Sequence, residues 1–175
     1  MITSLETLRA ELEATRASFH DLLNSIPDQA LEFKEPGNAW RIKAELWHIT
    51  QSLGFLAPAI IMVHRGRPLA ALYLRFPVGV RSWINGYILV PFLTRHVTRQ
   101  EIAGQYDRAH QRILVELDRP GGDKLKPGAK TPLAYPGIAD LFHQPAEHFQ
   151  LHADRIKQNL KDWNTKATKD ISQKL

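Results

Sequence analysis

The stretch "LETLRAELEATRASFHDLLNSI", from Leu5 to Ile26, gives the clearest structural signal in the chain. Its mainly apolar positions recur at steps of three and four residues, which places them in one narrow stripe along about six helical turns. Thr3 and Glu6 predict a capping box at the start of this helix, and Pro27 predicts its end. A helix with a single narrow stripe is typical of a helical bundle. The stripe consists of Leu5, Leu8, Leu12, Thr15, Phe19, Leu22 and Ile26.

The same periodicity predicts a second helix after the loop that contains Pro36 and Gly37. Asn38 is its predicted N-cap. Pro58 falls inside this helix and predicts a kink or an early end there. The stripe consists of Ile42, Leu46, Ile49, Leu53, Leu56, Ile60 and Val63.

Two further helices complete the pattern. The third opens with another predicted capping box, Thr98 with Glu101. The fourth is predicted from about Ile138 to Trp163, with a kink at Pro145, after a long loop across residues 120–137 and before a polar tail at residues 164–175. Four amphipathic helices predict an all-α four-helix bundle, in a single domain over residues 1–175. The inward residues of the third helix are Ile102, Tyr106, His110, Ile113 and Leu117.

Composition limits the chemistry that the chain can perform. Its 175 residues include no cysteine, which excludes disulfides, thiolate metal sites and a cysteine nucleophile and leaves histidine and carboxylate as the strong metal ligands. The N-terminus shows no signal-peptide pattern, so we expect a cytoplasmic protein. A formal net charge of +5 raises the question of nucleic-acid binding. The basic residues do not form a cluster, however, so nucleic acid is not the expected partner.

The segment at residues 69–97, between the second and third helices, does not fit a plain bundle. It is apolar and aromatic, and its longest uncharged run, Ser82 to Thr94, has 13 residues. A bilayer-spanning helix needs about 20 residues, so this segment is not expected to cross a membrane. We expect an inserted helical hairpin that covers the bundle or forms a homodimer surface. Contact with a membrane surface is the alternative.

Three histidines are candidate metal ligands. His148 and His152 lie four residues apart in the fourth helix, so both rings can project from one side of it. His48 lies near the start of the second helix, and bundle sites are commonly built from residues on facing helices. His110 is a reserve ligand. The alternative is that His152 is an ordinary core histidine with satisfied N–H groups and His148 a residue at the rim.

Several short motifs resemble those of the DinB-like superfamily, a group of four-helix bundles that includes thiol-dependent S-transferases and maleylpyruvate isomerase-type proteins. They are the Trp and the "E...H" of "AWRIKAELWHI", then "TPLAYPGIADLF" before the fourth helix, and "H...H...I" in "HFQLHADRI". The resemblance covers most of the chain apart from residues 69–97. It implies a divalent metal ion, often zinc or nickel, held by His48, His148 and His152. Leu151 stands where family members often carry another histidine, which removes no ligand.

An ion held by three neutral imidazoles would strongly acidify a bound water or thiol. Because the protein has no cysteine, such a thiol must come from a diffusible low-molecular-weight cofactor. We therefore expect a metal-dependent enzyme acting on a small molecule, with S-transfer preferred to hydrolysis. Glu45, one turn before His48, is the candidate for orienting a ligand or acting as a general base. The alternative is a non-catalytic bundle that binds a partner or an apolar ligand through residues 69–97.

Overall fold

The computed structural model describes residues 4–37, 40–64, 90–119 and 138–172. Every regular element in these ranges is a helix, so the prediction of an all-α fold is confirmed. The four long helices, α1, α3, α5 and α6, correspond to the four predicted from periodicity, and the described ranges also contain two short helices. In chain order they are α1 (Leu5–Ser25), α2 (Asp28–Leu31), α3 (Ile42–His64), α4 (Val90–Leu93), α5 (Arg99–Asp118) and α6 (Ile138–Ser172).

The long helices pack as a bundle in which α1 and α3 each contact both α5 and α6. Helices α3 and α6 run antiparallel, as two hydrogen bonds between them show. Gln144 donates to the hydroxyl of Ser52 at 3.3 Å, and His152 donates to the carboxylate of Glu45. This register places the first turns of α3 beside the middle of α6.

The core forms where the apolar stripes of the long helices meet. Phe19 of α1 and Tyr106 of α5 stack with their ring centroids 3.8 Å apart and their planes only 9° apart. All five inward residues predicted for the third helix are buried, as is most of the first stripe. The exception is Leu5, which is 46% exposed because it lies in the first turn of α1, at the end of the bundle. In α1 and α5 the stripes therefore identify the core correctly except at a helix end.

The structure revises the predicted cap of the first helix and confirms that of the third. Ser4, not Thr3, caps α1, since its hydroxyl accepts a 3.1 Å hydrogen bond from the backbone N–H of Thr7; Thr3 lies outside the described residues. The capping box of Thr98 and Glu101 at the start of α5 is confirmed.

The second predicted helix begins later than expected. α3 starts at Ile42, several residues after the predicted cap Asn38, which lies outside the described residues. The backbone N–H of Ile42 donates to the carbonyl of Phe33 at 3.1 Å. The chain just before Ile42 is thus held by the preceding segment and is not part of the helix.

Neither internal proline ends its helix. α3 continues through Pro58 to His64, and α6 contains Pro145 in its third turn. α6 also continues past Trp163 to Ser172, so the predicted polar tail at residues 164–175 is helical as far as Ser172. Residues 164–172 contain neither glycine nor proline, and most of their described side chains are exposed. The helix therefore outlasts its apolar stripe as a solvated extension.

Two predicted regions fall outside the described residues. They are the loop at residues 120–137 and residues 69–89 of the inserted segment. At residues 90–97 of that segment the chain forms α4 and a following turn. Among the helices of the described ranges, none combines the length and the hydropathy that a membrane span requires.

Candidate metal centre

Three histidine side chains meet between α3 and α6. His48 comes from α3, and His148 and His152 come from successive turns of α6. One ring nitrogen from each of the three lies within 4.8 Å of the other two. The ring centroid of His48 is 5.1 Å from that of His148 and 4.9 Å from that of His152, and the two rings of α6 are 4.5 Å apart. The structure thus brings the three side chains singled out from the sequence to one point.

Helix geometry explains this convergence. The spacing of four residues stacks His148 and His152 on one side of α6. The antiparallel register then sets the start of α3 opposite them, with the Glu45–His152 contact on one side of His48 and the Ser52–Gln144 contact on the other. His48 lies between these two contacts and faces the α6 pair.

Glu45 contacts the cluster through His152. Its carboxylate is buried and accepts a hydrogen bond from Nδ1 of His152. A carboxylate accepts, so Nδ1 of His152 is the donor in this hydrogen bond, and in the neutral ring Nε2 then carries the lone pair. This is the arrangement in which a carboxylate fixes the tautomer and the ring orientation of a metal-binding histidine.

The electrostatics of the cluster favour neutral imidazoles. Burial lowers the pKa of His48 to about 3 and the pKa of His148 to about 4. Coulomb repulsion from His152 and from Arg155 contributes to both of these shifts, and His148 also contributes to the shift of His48. Both rings are therefore uncharged at neutral pH, and a metal ion would not have to displace a proton from either of them.

Trp40, just before α3, borders the cluster. Its ring centroid lies 4.6 Å from that of His48 with the planes at 53°, and 6.1 Å from that of His152 with the planes at 18°. The indole thus contacts one histidine from each of the two helices. Its side chain is half-buried, as are His48 and His148, so the cluster keeps access to solvent.

The other histidines with described side chains lie away from this cluster. His110 is buried on α5, with its Nε2 3.2 Å from a carboxylate oxygen of Glu13, so the reserve ligand is not part of the group. His143 contacts Glu11 at 2.7 Å. Within the described ranges, His48, His148 and His152 form the group of histidine and acidic side chains whose ligand atoms converge.

The donor set fits a divalent transition-metal ion. Imidazole nitrogen suits zinc, nickel, copper and iron, and three histidines with an open position are a common arrangement at catalytic zinc sites. Such a site also needs a group that orients a ligand and access from solvent. The buried carboxylate of Glu45 contacts His152, and His48 and His148 are partly exposed.

The sequence pattern predicted the three histidines that converge here and Glu45 beside them, but not Arg155, whose charge helps to lower the pKa of His48 and of His148. An arginine on a solvent-facing turn ordinarily signals nothing, because such side chains are usually solvated. The feature that relates Arg155 to the cluster is its spacing, since it follows His148 by seven residues and His152 by three.

Comparison with known proteins supports the relationship suggested by the short motifs. The sequence profile of the DinB superfamily matches residues 11–163, a range that contains Glu45, His48, His148 and His152. No curated protein and no solved structure matches the chain. The profile covers most of the sequence, and both the helical bundle and the histidine cluster agree with a superfamily that binds metal ions. The chain belongs to the DinB superfamily.

Proposed function

We propose that this protein is a metal-dependent enzyme that acts on a small molecule, with a divalent ion, zinc or nickel, held by His48, His148 and His152. The observation that carries the proposal is the convergence of three ring nitrogens within 4.8 Å from two different helices. Three histidines in such a group are much harder to explain by packing than a single buried histidine.

The side chains around the site have separate tasks in this proposal. Glu45 holds His152 so that its Nε2 faces the other two rings. Burial keeps His48 and His148 neutral and able to donate a lone pair. Trp40 covers part of the cluster with an aromatic face and limits the motion of the rings that it contacts. The partial exposure of His48 and His148 leaves a route for a small molecule.

When bound, a divalent ion supplies a Lewis acid that lowers the pKa of a coordinated thiol or water. The chain contains no cysteine, so a thiol nucleophile has to be a diffusible molecule. We favour S-transfer, in which the thiol loses its proton to solvent and its sulfur forms a bond to an electrophilic carbon as that carbon releases its leaving group. Hydrolysis of an acyl or amide bond is the second reaction that the same residues would support.

Metal titration of three variants tests the proposed ligands. Calorimetric titration of the metal-free wild type with zinc or nickel should give about one bound ion per chain. His48→Ala, His148→Ala and His152→Ala should each abolish that binding. The matched control is His143→Ala, which removes a half-buried histidine of α6 that contacts Glu11 outside the cluster. Zinc or nickel binding that survives in all three ligand variants would refute the proposal.

The absence of cysteine gives a clean test of the thiol. In cobalt-substituted protein, a sulfur-to-cobalt charge-transfer band can arise only from an added thiol, because the chain itself has no thiolate. Adding mercaptoethanol to the wild type should produce the band, and His148→Ala should not show it. Failure of the wild type to develop the band with either mercaptoethanol or mercaptoacetate, with normal cobalt binding, would exclude S-transfer and leave hydrolysis.

A further inference from the structure

Arg155 lies on α6 close to the line of its two histidines. It follows His152 by three residues and His148 by seven. Seven residues are almost two helical turns, so Arg155 lies only about 20° around the helix from His148 and about 10 Å along its axis. Because helical side chains lean toward the N-terminus of their helix, the long side chain of Arg155 is inclined toward the two histidines.

The positive charge of Arg155 acts on histidines of both helices. It is among the causes that lower the pKa of His48 on α3 and of His148 on α6. The register between these helices is consistent with this effect. His152 lies opposite Glu45, and one further turn of α6 brings Arg155 level with the beginning of α3, which Trp40 shortly precedes. Arg155 thus lies at the same end of the site as the indole.

Arg155 is exposed and makes no ion pair with the part of the chain that the structure describes. The acidic side chains nearest to it along α6 are engaged elsewhere, as Asp154 accepts from Gln150 and Asp162 accepts from Gln158. Glu45 contacts His152. By contrast, other arginines are paired with aspartates: Arg9 with Asp118, Arg16 with Asp107 and Arg99 with Asp28.

An unpaired cation beside a site for a divalent ion opposes metal binding by Coulomb repulsion. The repulsion is offset when an anion binds between the two charges. The carboxylates of the described residues named above are already engaged, so a ligand can supply this anion. Arginine is suited to this because its planar fork can donate two parallel hydrogen bonds to a carboxylate.

We propose that Arg155 is the anion-binding residue of this site and that the substrate or the thiol carries a carboxylate, which the guanidinium binds while the reacting atom lies at the three histidines. This inference rests on the proposed function and adds the class of ligand. A singly charged carboxylate fits better than a phosphate, because Arg155 is the one unpaired cation that we place beside the histidines among the described residues. Lys157 and Lys161 lie on other faces of α6, and Lys43 contacts Glu32.

A matched pair of thiols provides the first test. Mercaptoacetate and mercaptoethanol differ in the carboxylate, and both can be titrated into cobalt-loaded protein by their charge-transfer bands. Wild type should bind mercaptoacetate about tenfold more tightly, and Arg155→Gln should lose that preference without weakening mercaptoethanol. Arg112→Gln, which removes an exposed arginine of α5, should keep it. A preference that persists in Arg155→Gln would overturn the proposal.

A second test needs neither a thiol nor activity. The side-chain Nε–Hε resonance of Arg155, assigned by its absence from the Arg155→Gln spectrum, is followed while acetate or inorganic phosphate is added to metal-free and zinc-loaded protein. Acetate should shift this resonance, and it should bind more tightly to the zinc-loaded form than to the metal-free form. Tighter binding of phosphate, or no shift with either anion, would overturn the proposal. Failure of the proposed function would appear separately, as the absence of bound zinc.

Discussion

Glu45 holds the ring of His152, because its carboxylate accepts a hydrogen bond from Nδ1. Glu45→Gln keeps the size of the side chain but removes its charge. We expect zinc affinity to fall about 10- to 100-fold, as is usual when a carboxylate behind a ligand is lost. Calorimetric titration of the metal-free protein measures this change.

Glu11→Gln is the control for that prediction, since Glu11 contacts His143, which lies on α6 but outside the cluster. It should leave zinc affinity unchanged. Equal affinities in wild type and Glu45→Gln would show that Glu45 does not act through His152.

The histidine cluster was predictable from individual residues only in part. The spacing of His148 and His152 put them on one side of a helix, but spacing alone does not show that a facing helix supplies a third ring. His48 at the margin of its stripe left that question open. The structure answers it through the antiparallel register, which depends on contacts such as Gln144 with Ser52 that no local pattern reveals.

The N-terminus of α5 is closed by a complete capping box. The hydroxyl of Thr98 accepts from the backbone N–H of Glu101 at 3.2 Å, and the carboxylate of Glu101 accepts from the backbone N–H of Thr98 at 2.7 Å. Thr98→Ala should lower the free energy of unfolding by about 1 kcal/mol in a urea titration. Thr165→Ala, in the exposed extension of α6, should change it by less than about 0.5 kcal/mol. Equal losses in the two variants would contradict the assigned cap.

Helix boundaries were less predictable than helix existence, for physical reasons that differ at each end. Hydrophobic periodicity marks only the part of a helix that packs, so it ended the fourth helix at Trp163 although the backbone remains helical to Ser172. The start of α3 depends instead on a non-local hydrogen bond from Ile42 to Phe33. The short helices α2 and α4 carry too few residues to show a period.

The stability of the whole metal-free molecule should depend on pH through His48 and His148. Their pKa values, about 3 and about 4 when folded, lie below the ordinary value of 6.5 expected in the unfolded chain. Unfolding near pH 5 therefore takes up about two protons from these groups, so acid favours the unfolded state. The contribution of the two neutral histidines to the free energy of unfolding is complete above about pH 6.5 and is lost as the pH falls toward 4.

Urea unfolding midpoints between pH 7.5 and 5 measure this dependence. Because glutamine does not titrate, the double variant His48→Gln/His148→Gln should show a shallower loss of stability on acidification than wild type. Parallel curves for the two proteins would mean that these histidines titrate normally in the folded state.

Diffraction from zinc-loaded crystals, measured on both sides of the zinc absorption edge, locates the ion without any assumption about the reaction. Three imidazoles that share one zinc ion require a single anomalous peak about 2.0–2.1 Å from one ring nitrogen each of His48, His148 and His152. A peak bound elsewhere, or none between these rings at full zinc occupancy in solution, would contradict the metal centre on which the proposed chemistry depends.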